Sequence, residues 1–205
     1  MSEASIIDVW AQRPGEVFLR QPWLATLNRW TGRGGDPAEV PAEVLLAHMD
    51  EAGIEKVLLS AWWGPAGELI SNDSVAELVQ AHPDRIVGVA SADLSRPLEA
   101  VRTLRRYVSE YGFKALRIVP WFDEVVALSG KFPGFYVDTS AYVARRYPPA
   151  LLEFMKGRGR ERVMFGTNYP MLTPARCLAG FDALGLDAET RALFLSGNAR
   201  RVFGL

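Results

Sequence analysis

The eight residues Val163-Met-Phe-Gly-Thr-Asn-Tyr-Pro170 pass from a short apolar run into a polar loop. The run is too short and too rich in β-prone residues for a core helix, so it is predicted to be a buried strand. The turn-forming residues after Gly166 place Asn168 and Tyr169 at the carboxyl end of that strand. Ligands bind at this end of the strands in α/β folds, so the loop is a candidate site.

The pattern of an apolar strand followed by a polar or aromatic end recurs five more times. The segments that show it are 6–12, 56–63, 86–93, 115–120 and 135–140. Predicted helices lie at 41–52, 72–81, 97–112, 122–131, 148–157, 174–184 and 187–203, the last with an interruption expected at Ser196 and Gly197. Alternating strands and helices predict parallel strands joined by right-handed crossovers. We therefore predict one α/β domain of six βα units over residues 1–205.

The composition favours a small-molecule ligand over a polymeric partner. The chain has 23 basic and 24 acidic residues and a formal net charge of -1, and these charges are mixed along the sequence. The sequence therefore has no stripe of basic residues of the kind that binds nucleic acid. The single cysteine, Cys177, cannot form an internal disulfide, no leader is recognisable, and no apolar stretch reaches the ~20 residues of a membrane span. We expect a cytoplasmic protein that binds neither nucleic acid nor membrane, and homo-oligomer formation is left open.

A long irregular segment, 13–41, follows the first strand and contains Trp23 and Trp30. Loops of this length in compact domains usually cover something. These two aromatic residues therefore either belong to a lid or pack on the outside of the core.

Several segments carry residues that resemble one known family. They are Ile6-Ile-Asp-Val9, Gly112-Phe-Lys-Ala-Leu-Arg117, Tyr136-Val-Asp-Thr-Ser140, Arg162-Val-Met-Phe-Gly-Thr-Asn-Tyr-Pro170 and Gly197-Asn-Ala-Arg-Arg-Val-Phe203. Together they resemble the amidohydrolase-related family, in the branch around aminocarboxymuconate-semialdehyde decarboxylase. The resemblance implies a (β/α)8 TIM barrel with a divalent metal such as zinc at the carboxyl ends of the strands. It also implies hydrolysis or decarboxylation of small carboxylate-bearing molecules.

The metal-ligand positions of that family are changed in this chain. The resemblance implies a His-x-His pair where the chain has Trp10 and Gln12, and an aspartate where it has Asn168. It also implies histidines on the fifth and sixth strands, but the residues after Trp121 resemble the helix that follows the sixth strand. We therefore expect a TIM-barrel-like fold shortened to about six parallel βα units, a degenerate active site and no metal cofactor.

The two histidines and the cysteine are predicted to be structural. His48 lies in the apolar stripe of a helix and His82 at a helix end, both away from the strand ends. Cys177 follows Thr173 and Pro174 on a helix and has no histidine near it in sequence, so it is predicted to be inert core.

Arg117 is the charged residue that most needs a partner. It lies on an otherwise apolar strand, where an unpaired charge is costly to bury. Its partner is predicted to be Asp93, Asp138 or the acidic group of a ligand. The two aspartates also leave open a site for a hard cation, although loop capping or pairing with arginines is the simpler role.

The strand ends supply the remaining site candidates. Their aromatic residues form either a wall for a planar ligand or a plug in the barrel mouth. The predicted substrate-binding residues are Arg117, Trp10, Gln12, Trp62, Trp63, Asp138 and Tyr169, with Trp121 in the same aromatic set and Asn168 as the catalytic candidate.

Two functions stay open at this point. The first is a metal-dependent hydrolase or decarboxylase, and the second is a catalytically inactive binding module or the product of an internally deleted gene. The lack of histidine at the strand ends favours the second. A barrel shortened by two strands forms either a tighter six-stranded barrel or an open curved sheet, and strands 115–120 and 135–140 are predicted to become neighbours with a poor ladder. Such a seam favours dimerisation or aggregation.

Overall fold

The structure is a computed structural model of the chain, and it describes residues 5–22, 24, 40–64, 67–117 and 136–205. Its strands are β1 (Ile6–Ala11), β2 (Ile54–Ser60), β3 (Trp62–Gly64), β4 (Gly67–Ile70), β5 (Ile86–Ala90), β6 (Ala115–Leu116), β7 (Val137–Asp138) and β8 (Val163–Met164). Trp23, Trp30, Trp121 and the predicted helix 122–131 lie outside the described residues, so the predictions made for them stay predictions.

Six of these strands form the parallel sheet that the sequence predicts. β1, β2, β5 and β6 pair in that order, and β7 pairs with β8, all in parallel. The chain after β8 joins the two groups, because the Val9 N–H donates to the Phe165 carbonyl at 2.9 Å and the Asn168 N–H donates to the Trp10 carbonyl at 2.6 Å. The resulting strand order is β7-β8-β1-β2-β5-β6, a curled sheet of the TIM-barrel type.

The two faces of this sheet pack against different parts of the chain. Because side chains alternate along a strand, Leu58 packs in a small inner cluster while its neighbours Val57 and Leu59 pack in the outer core. The inner cluster also contains Ile7, Val9, Val87, Val89, Met164 and Ala199. Ala199 belongs to the last helix, Asn198–Phe203, so that helix closes the inner cluster.

Most predicted helices are present with nearly the predicted bounds. They include Ala42–Glu51, Asn72–Ala81, Pro97–Tyr111 and Pro149–Lys156, together with the short helix Glu16–Leu19 and a 3-10 turn at Ala144–Arg146. Ser71 caps the second of these by accepting the Ser74 N–H at 3.0 Å. Gly112 ends the third with a φ of 67°, a left-handed conformation that glycine adopts without strain.

The last part of the chain is more divided than the sequence predicts. Helix Pro174–Leu178 and the 3-10 helix Phe181–Leu184 replace the single helix predicted at 174–184, because Gly180 has a φ of 78° and breaks it. The expected interruption near Gly197 is a π-helical stretch, Leu193–Gly197, between helices Ala188–Ala192 and Asn198–Phe203.

A β-hairpin stands where the sequence analysis placed only a strand end. β3 and β4 pair in antiparallel orientation, with Trp62 opposite Ile70 and Gly64 opposite Gly67. The hairpin therefore extends the carboxyl end of β2 beyond the sheet and carries Trp62 and Trp63 with it.

The two edges of the curled sheet are β6 and β7. Within the described part of the chain, β6 pairs only with β5 and β7 only with β8. A ladder between them, weak or strong, therefore remains a prediction. None of the helices in the described ranges has the length and apolar character needed to cross a membrane.

Candidate functional site at the carboxyl ends of the strands

Arg117 lies at the centre of the site, immediately after β6, and is only 4% exposed. Its Nη1 donates hydrogen bonds to Gln12 Oε1 at 2.5 Å and to Ser60 Oγ at 2.7 Å. The ring centroids of Trp10 and Trp62 lie 4.1 and 4.2 Å from its Cζ. Since two rings cannot occupy one face of a guanidinium at this distance, they enclose it from different sides, and cation–π attraction offsets part of its desolvation.

Neither aspartate predicted to neutralise Arg117 forms an ion pair with it. Asp93 instead accepts the Ser95 hydroxyl at 2.6 Å and lies 3.8 Å from Arg96, so the prediction of an Asp93 partner is wrong. Burial lowers the pKa of Arg117 to about 9, and Asp138 opposes that shift through its charge. Asp138 is therefore an electrostatic neighbour of Arg117 rather than a hydrogen-bonded partner among the described residues.

One side of the Arg117 guanidinium is left without a hydrogen bond. Its Nε is buried and has no partner within the described ranges. An N–H donor in this state costs free energy unless something accepts from it. With Asp93 engaged elsewhere, Asp138 and the acidic group of a ligand are the two remaining partners that the sequence predicts for this donor.

Gln12 and Asn168 hold the other side of the guanidinium. Gln12 is fully buried, and its Nε2 donates to Asn168 Oδ1 at 3.0 Å while its Oε1 accepts from Arg117. Asn168 has a φ of 63°, which asparagine tolerates better than most residues. Its carboxamide has no proton-accepting group of useful basicity, so its observed part is to position Gln12, and a catalytic role for Asn168 stays a prediction.

Asp8 is a buried carboxyl group that the sequence analysis did not select. It is 1% exposed, and it accepts hydrogen bonds from the Thr167 N–H at 3.0 Å, the Thr167 hydroxyl at 2.5 Å and the Trp10 N–H at 3.0 Å. Burial raises its pKa to about 7 against the lowering effect of these hydrogen bonds. Asp8 thus fastens the loop after β8 to β1, directly beside Trp10.

Gly166, which follows β8, leaves room for the side chains of Trp10 on β1 and Asp138 on β7, the strands on either side of β8. A Cβ at this position would lie 2.9 Å from the Trp10 Cβ and 3.1 Å from Asp138 Oδ1, closer than such atoms pack. Asp138 is fixed by the Ser140 N–H, which donates to it at 2.8 Å. The lack of a side chain at Gly166 therefore lets Trp10 and the Asp138 carboxylate lie together beside Arg117, at the mouth formed by the carboxyl ends of the strands.

The predicted aromatic wall divides into three parts. Trp10 and Trp62 contact Arg117, whereas Trp63 lines a separate cavity of about 380 Å³ with Asn72, Ser91, Asp93, Arg96 and Tyr107 among its walls. Tyr169 is fully buried, and its hydroxyl lies 3.1 Å from Nδ1 of His48 on helix Ala42–Glu51. Ligand contacts of Trp63 and Tyr169 remain predictions that this packing does not favour.

Ser60 and Ser91 are site residues that the sequence analysis missed. Ser60 Oγ accepts from Arg117 and also donates to the Ala11 carbonyl at 3.2 Å, and Ser91 Oγ donates to the Arg117 carbonyl at 3.3 Å. Ser60 thus contacts the Arg117 guanidinium, whereas Ser91 contacts the Arg117 main chain. The signal that would have found Ser60 is the acceptor that a buried arginine requires from its neighbouring strands.

The side chains at this mouth do not fit a divalent metal. Trp10 has no lone pair for a metal, Gln12 and Asn168 offer amide groups already hydrogen-bonded, and the Arg117 cation lies among them. No group of three or more histidine, cysteine, aspartate or glutamate side chains among the described residues is arranged to hold a metal ion. His48 lies on the outer helix Ala42–Glu51, where it contacts Tyr169. Cys177 is buried, which raises the pKa of its thiol to about 12, in keeping with an inert core residue.

Comparisons with known proteins agree with this architecture. The profile of the family described as Amidohydrolase matches residues 118–205. Gamma-resorcylate decarboxylase from Rhodococcus jostii (strain RHA1) is 33% identical over 112 residues, which cover 49% of this chain and 33% of that protein. Residues 118–205 therefore resemble the amidohydrolase family.

Solved structures share the fold of this chain. An uncharacterized TIM-barrel protein from Bordetella bronchiseptica superposes with a TM-score of 0.77 at 19% identity, covering 98% of each chain. The 5-carboxyvanillate decarboxylase from Novosphingobium aromaticivorans DSM 12444, solved with manganese and 4-hydroxy-3-methoxy-5-nitrobenzoic acid, gives a TM-score of 0.63 at 17% identity, covering 99% of this chain and 97% of that chain. The chain spans only 33% of the length of gamma-resorcylate decarboxylase, the curated relative that it matches.

Proposed function

We propose that this chain binds small aromatic carboxylates at the Arg117 site and does not turn them over by a metal-dependent route. The observation that carries the proposal is a buried guanidinium that has neither a carboxylate partner nor an acceptor for its Nε–H among the described residues. Arginine binds carboxylates through the Nε side of its planar fork, and such charge-assisted hydrogen bonds are the strong ones.

The surroundings of Arg117 favour a planar ligand. Trp10 and Trp62 lie against the guanidinium, so a carboxylate that approaches in its plane brings the attached ring between or beside two indoles. Aromatic rings attract one another in offset or edge-to-face arrangements. The named relatives act on aromatic acids, which agrees with this choice of ligand class.

The test is binding of 2,6-dihydroxybenzoate, measured by isothermal titration calorimetry and by quenching of tryptophan fluorescence. We expect binding that weakens about 10- to 100-fold in Arg117→Gln, because hydrogen bonds to a charged group contribute about 1.5–3 kcal/mol. Resorcinol, which lacks the carboxylate, is the matched ligand control and should bind weakly to both proteins.

Arg102→Gln is the matched protein control. It removes the same charge from an exposed position on helix Pro97–Tyr111. Equal affinities of the natural chain and Arg117→Gln for 2,6-dihydroxybenzoate would refute the proposal.

A second candidate function is metal-dependent decarboxylation, which the names of the relatives favour. It is tested by adding manganese to the dialysed protein with 2,6-dihydroxybenzoate and measuring release of carbon dioxide. We expect release no faster than in buffer with manganese alone, because the amides and indole at the mouth do not hold the ion.

A further inference from the structure

Three positions at the mouth all serve the Arg117 guanidinium. They are Trp10, Gln12 and Asn168, where the family resemblance implies metal ligands. The Trp10 ring stacks on the guanidinium, Gln12 accepts from Nη1 at 2.5 Å, and Asn168 fixes Gln12 through a hydrogen bond of 3.0 Å. Each replacement is thus suited to a cation made of N–H donors rather than to a metal ion.

The chemistry of these groups also distinguishes the two kinds of cation. An amide oxygen and a hydroxyl oxygen accept N–H hydrogen bonds, and the face of an indole attracts a weakly hydrated planar cation. A divalent ion in proteins needs imidazole, thiolate or carboxylate ligands in number. It would also be repelled by the guanidinium, and little water is present to screen that repulsion at a residue 4% exposed.

We propose that the Arg117 guanidinium supplies the fixed positive charge of this site in place of a metal ion, in a cradle formed by Trp10, Gln12, Ser60, Trp62 and Asn168. The anion then binds directly to the protein cation. This inference concerns the same site as the proposed function, but its tests measure metal and guanidinium binding. It can therefore fail while carboxylate binding holds, and the reverse.

The first test uses the natural sequence and needs no variant. The protein is dialysed against a chelator, then equilibrated with manganese or zinc, and bound metal per chain is measured by mass spectrometry and by the electron paramagnetic resonance of free manganese. We expect no stoichiometric binding of either ion. Tight binding of one ion per chain would overturn the inference, whatever the protein does with carboxylates.

The second test is chemical rescue of Arg117→Ala. Removing the side chain leaves a cradle shaped for a guanidinium, so low-millimolar methylguanidinium should raise the melting temperature of the variant towards that of the natural chain. The same concentration should leave the natural chain unchanged. Manganese chloride and sodium chloride at equal ionic strength are the controls and should not rescue.

The outcomes separate a site-specific cation from a general structural residue. Rescue by methylguanidinium but not by manganese supports the inference. Rescue by manganese, or a folded variant whose melting temperature does not respond to methylguanidinium, contradicts it. If Arg117→Ala does not fold, Arg117→Lys is compared with Arg117→Gln, and the inference requires the lysine variant, which keeps a cation, to melt at the higher temperature.

Discussion

Two buried ionisable residues lie at the mouth, the base Arg117 and the acid Asp8, and their surroundings differ. Arg117 has aromatic rings and neutral oxygens around it, which accept a positive charge without cancelling it. Asp8 has three hydrogen bonds from Trp10 and Thr167, yet burial still raises its pKa to about 7. Near neutral pH the first residue stays charged, while the second is close to its midpoint of protonation.

Asp8 should make the stability of the protein depend on pH. Unfolded, an aspartate has a pKa of about 3.9. Between that value and about 7 the folded chain holds a proton that the unfolded chain has released, so stability is highest below pH 4 for this group and is lost as pH rises towards 7. The loss is on the order of 4 kcal/mol, since each pKa unit corresponds to about 1.36 kcal/mol.

The measurement is the free energy of unfolding by urea at several pH values for the natural chain and for Asp8→Asn. Asparagine resembles the protonated acid and does not titrate, so its profile should lose this slope between pH 4 and 7. Asp84→Asn, a change at an exposed aspartate, is the control and should keep the slope. Parallel profiles for Asp8→Asn and the natural chain would contradict this account.

At the scale of elements, glycines set how closely neighbouring strands and loops pack. Gly166 follows β8 and faces Trp10 and Asp138, whereas Gly88 lies in the middle of β5 under the ring of Phe113. A Cβ at Gly88 would lie 2.3 Å from that ring. Both positions leave too little space for a side chain, but only Gly166 touches the site.

Gly166→Ala and Gly88→Ala should therefore differ in their effect on ligand binding. Alanine at Gly166 must displace the base of the Trp10 side chain, which would misplace one ring beside Arg117 and weaken binding of 2,6-dihydroxybenzoate about tenfold or more. Alanine at Gly88 should destabilise the fold by about 1–3 kcal/mol through overpacking and leave the affinity of the folded fraction nearly unchanged. Calorimetric titration and urea unfolding of both variants decide this, and equal losses of affinity would show that the distinction is wrong.

The sequence predicted the regular elements better than their ends. Strands with continuous apolar runs, such as Ile86–Ala90, and helices with a cap and a stop, such as Asn72–Ala81, are decided by local residues. The hairpin of β3 and β4 was missed because Trp62 and Trp63 were read as a strand end, although Gly64 and Gly67 signal a turn before Leu69 and Ile70.

The site was predicted in part, for a similar reason. Arg117 was selected because a charge on an apolar strand demands a partner, and Trp10, Gln12 and Asn168 were selected from the family resemblance, and the structure brings the four side chains into one cluster. Ser60 was missed because a single serine gives no periodic signal, and its role depends on a contact 57 positions away in sequence. Such a contact is decided by the register of the strands, which local pattern does not specify.

The two edge strands of the curled sheet, β6 and β7, both supply residues to the site. Arg117 after β6 and Asp138 on β7 both lie close to Trp10 at the mouth. No ladder joins β6 to β7 within the residues that the structure describes. The sheet thus brings its edge residues to one site without a hydrogen-bonded connection between the described parts of the edges.

Hydrogen exchange of four amides can test whether these edges are paired. The Arg117 N–H donates to the Ala90 carbonyl at 2.7 Å and the Thr139 N–H to the Met164 carbonyl at 3.2 Å, so both point into the sheet. Because N–H groups alternate along a strand, those of Leu116 and Asp138 point outward at the two edges. We expect Leu116 and Asp138 to exchange quickly and Arg117 and Thr139 slowly, measured by nuclear magnetic resonance of the amides at neutral pH.

Slow exchange at all four positions would mean that the edges are hydrogen-bonded and the barrel is closed. Slow exchange at Leu116 and Asp138 that becomes fast on dilution would instead assign the outward N–H groups to pairing between two copies of the chain.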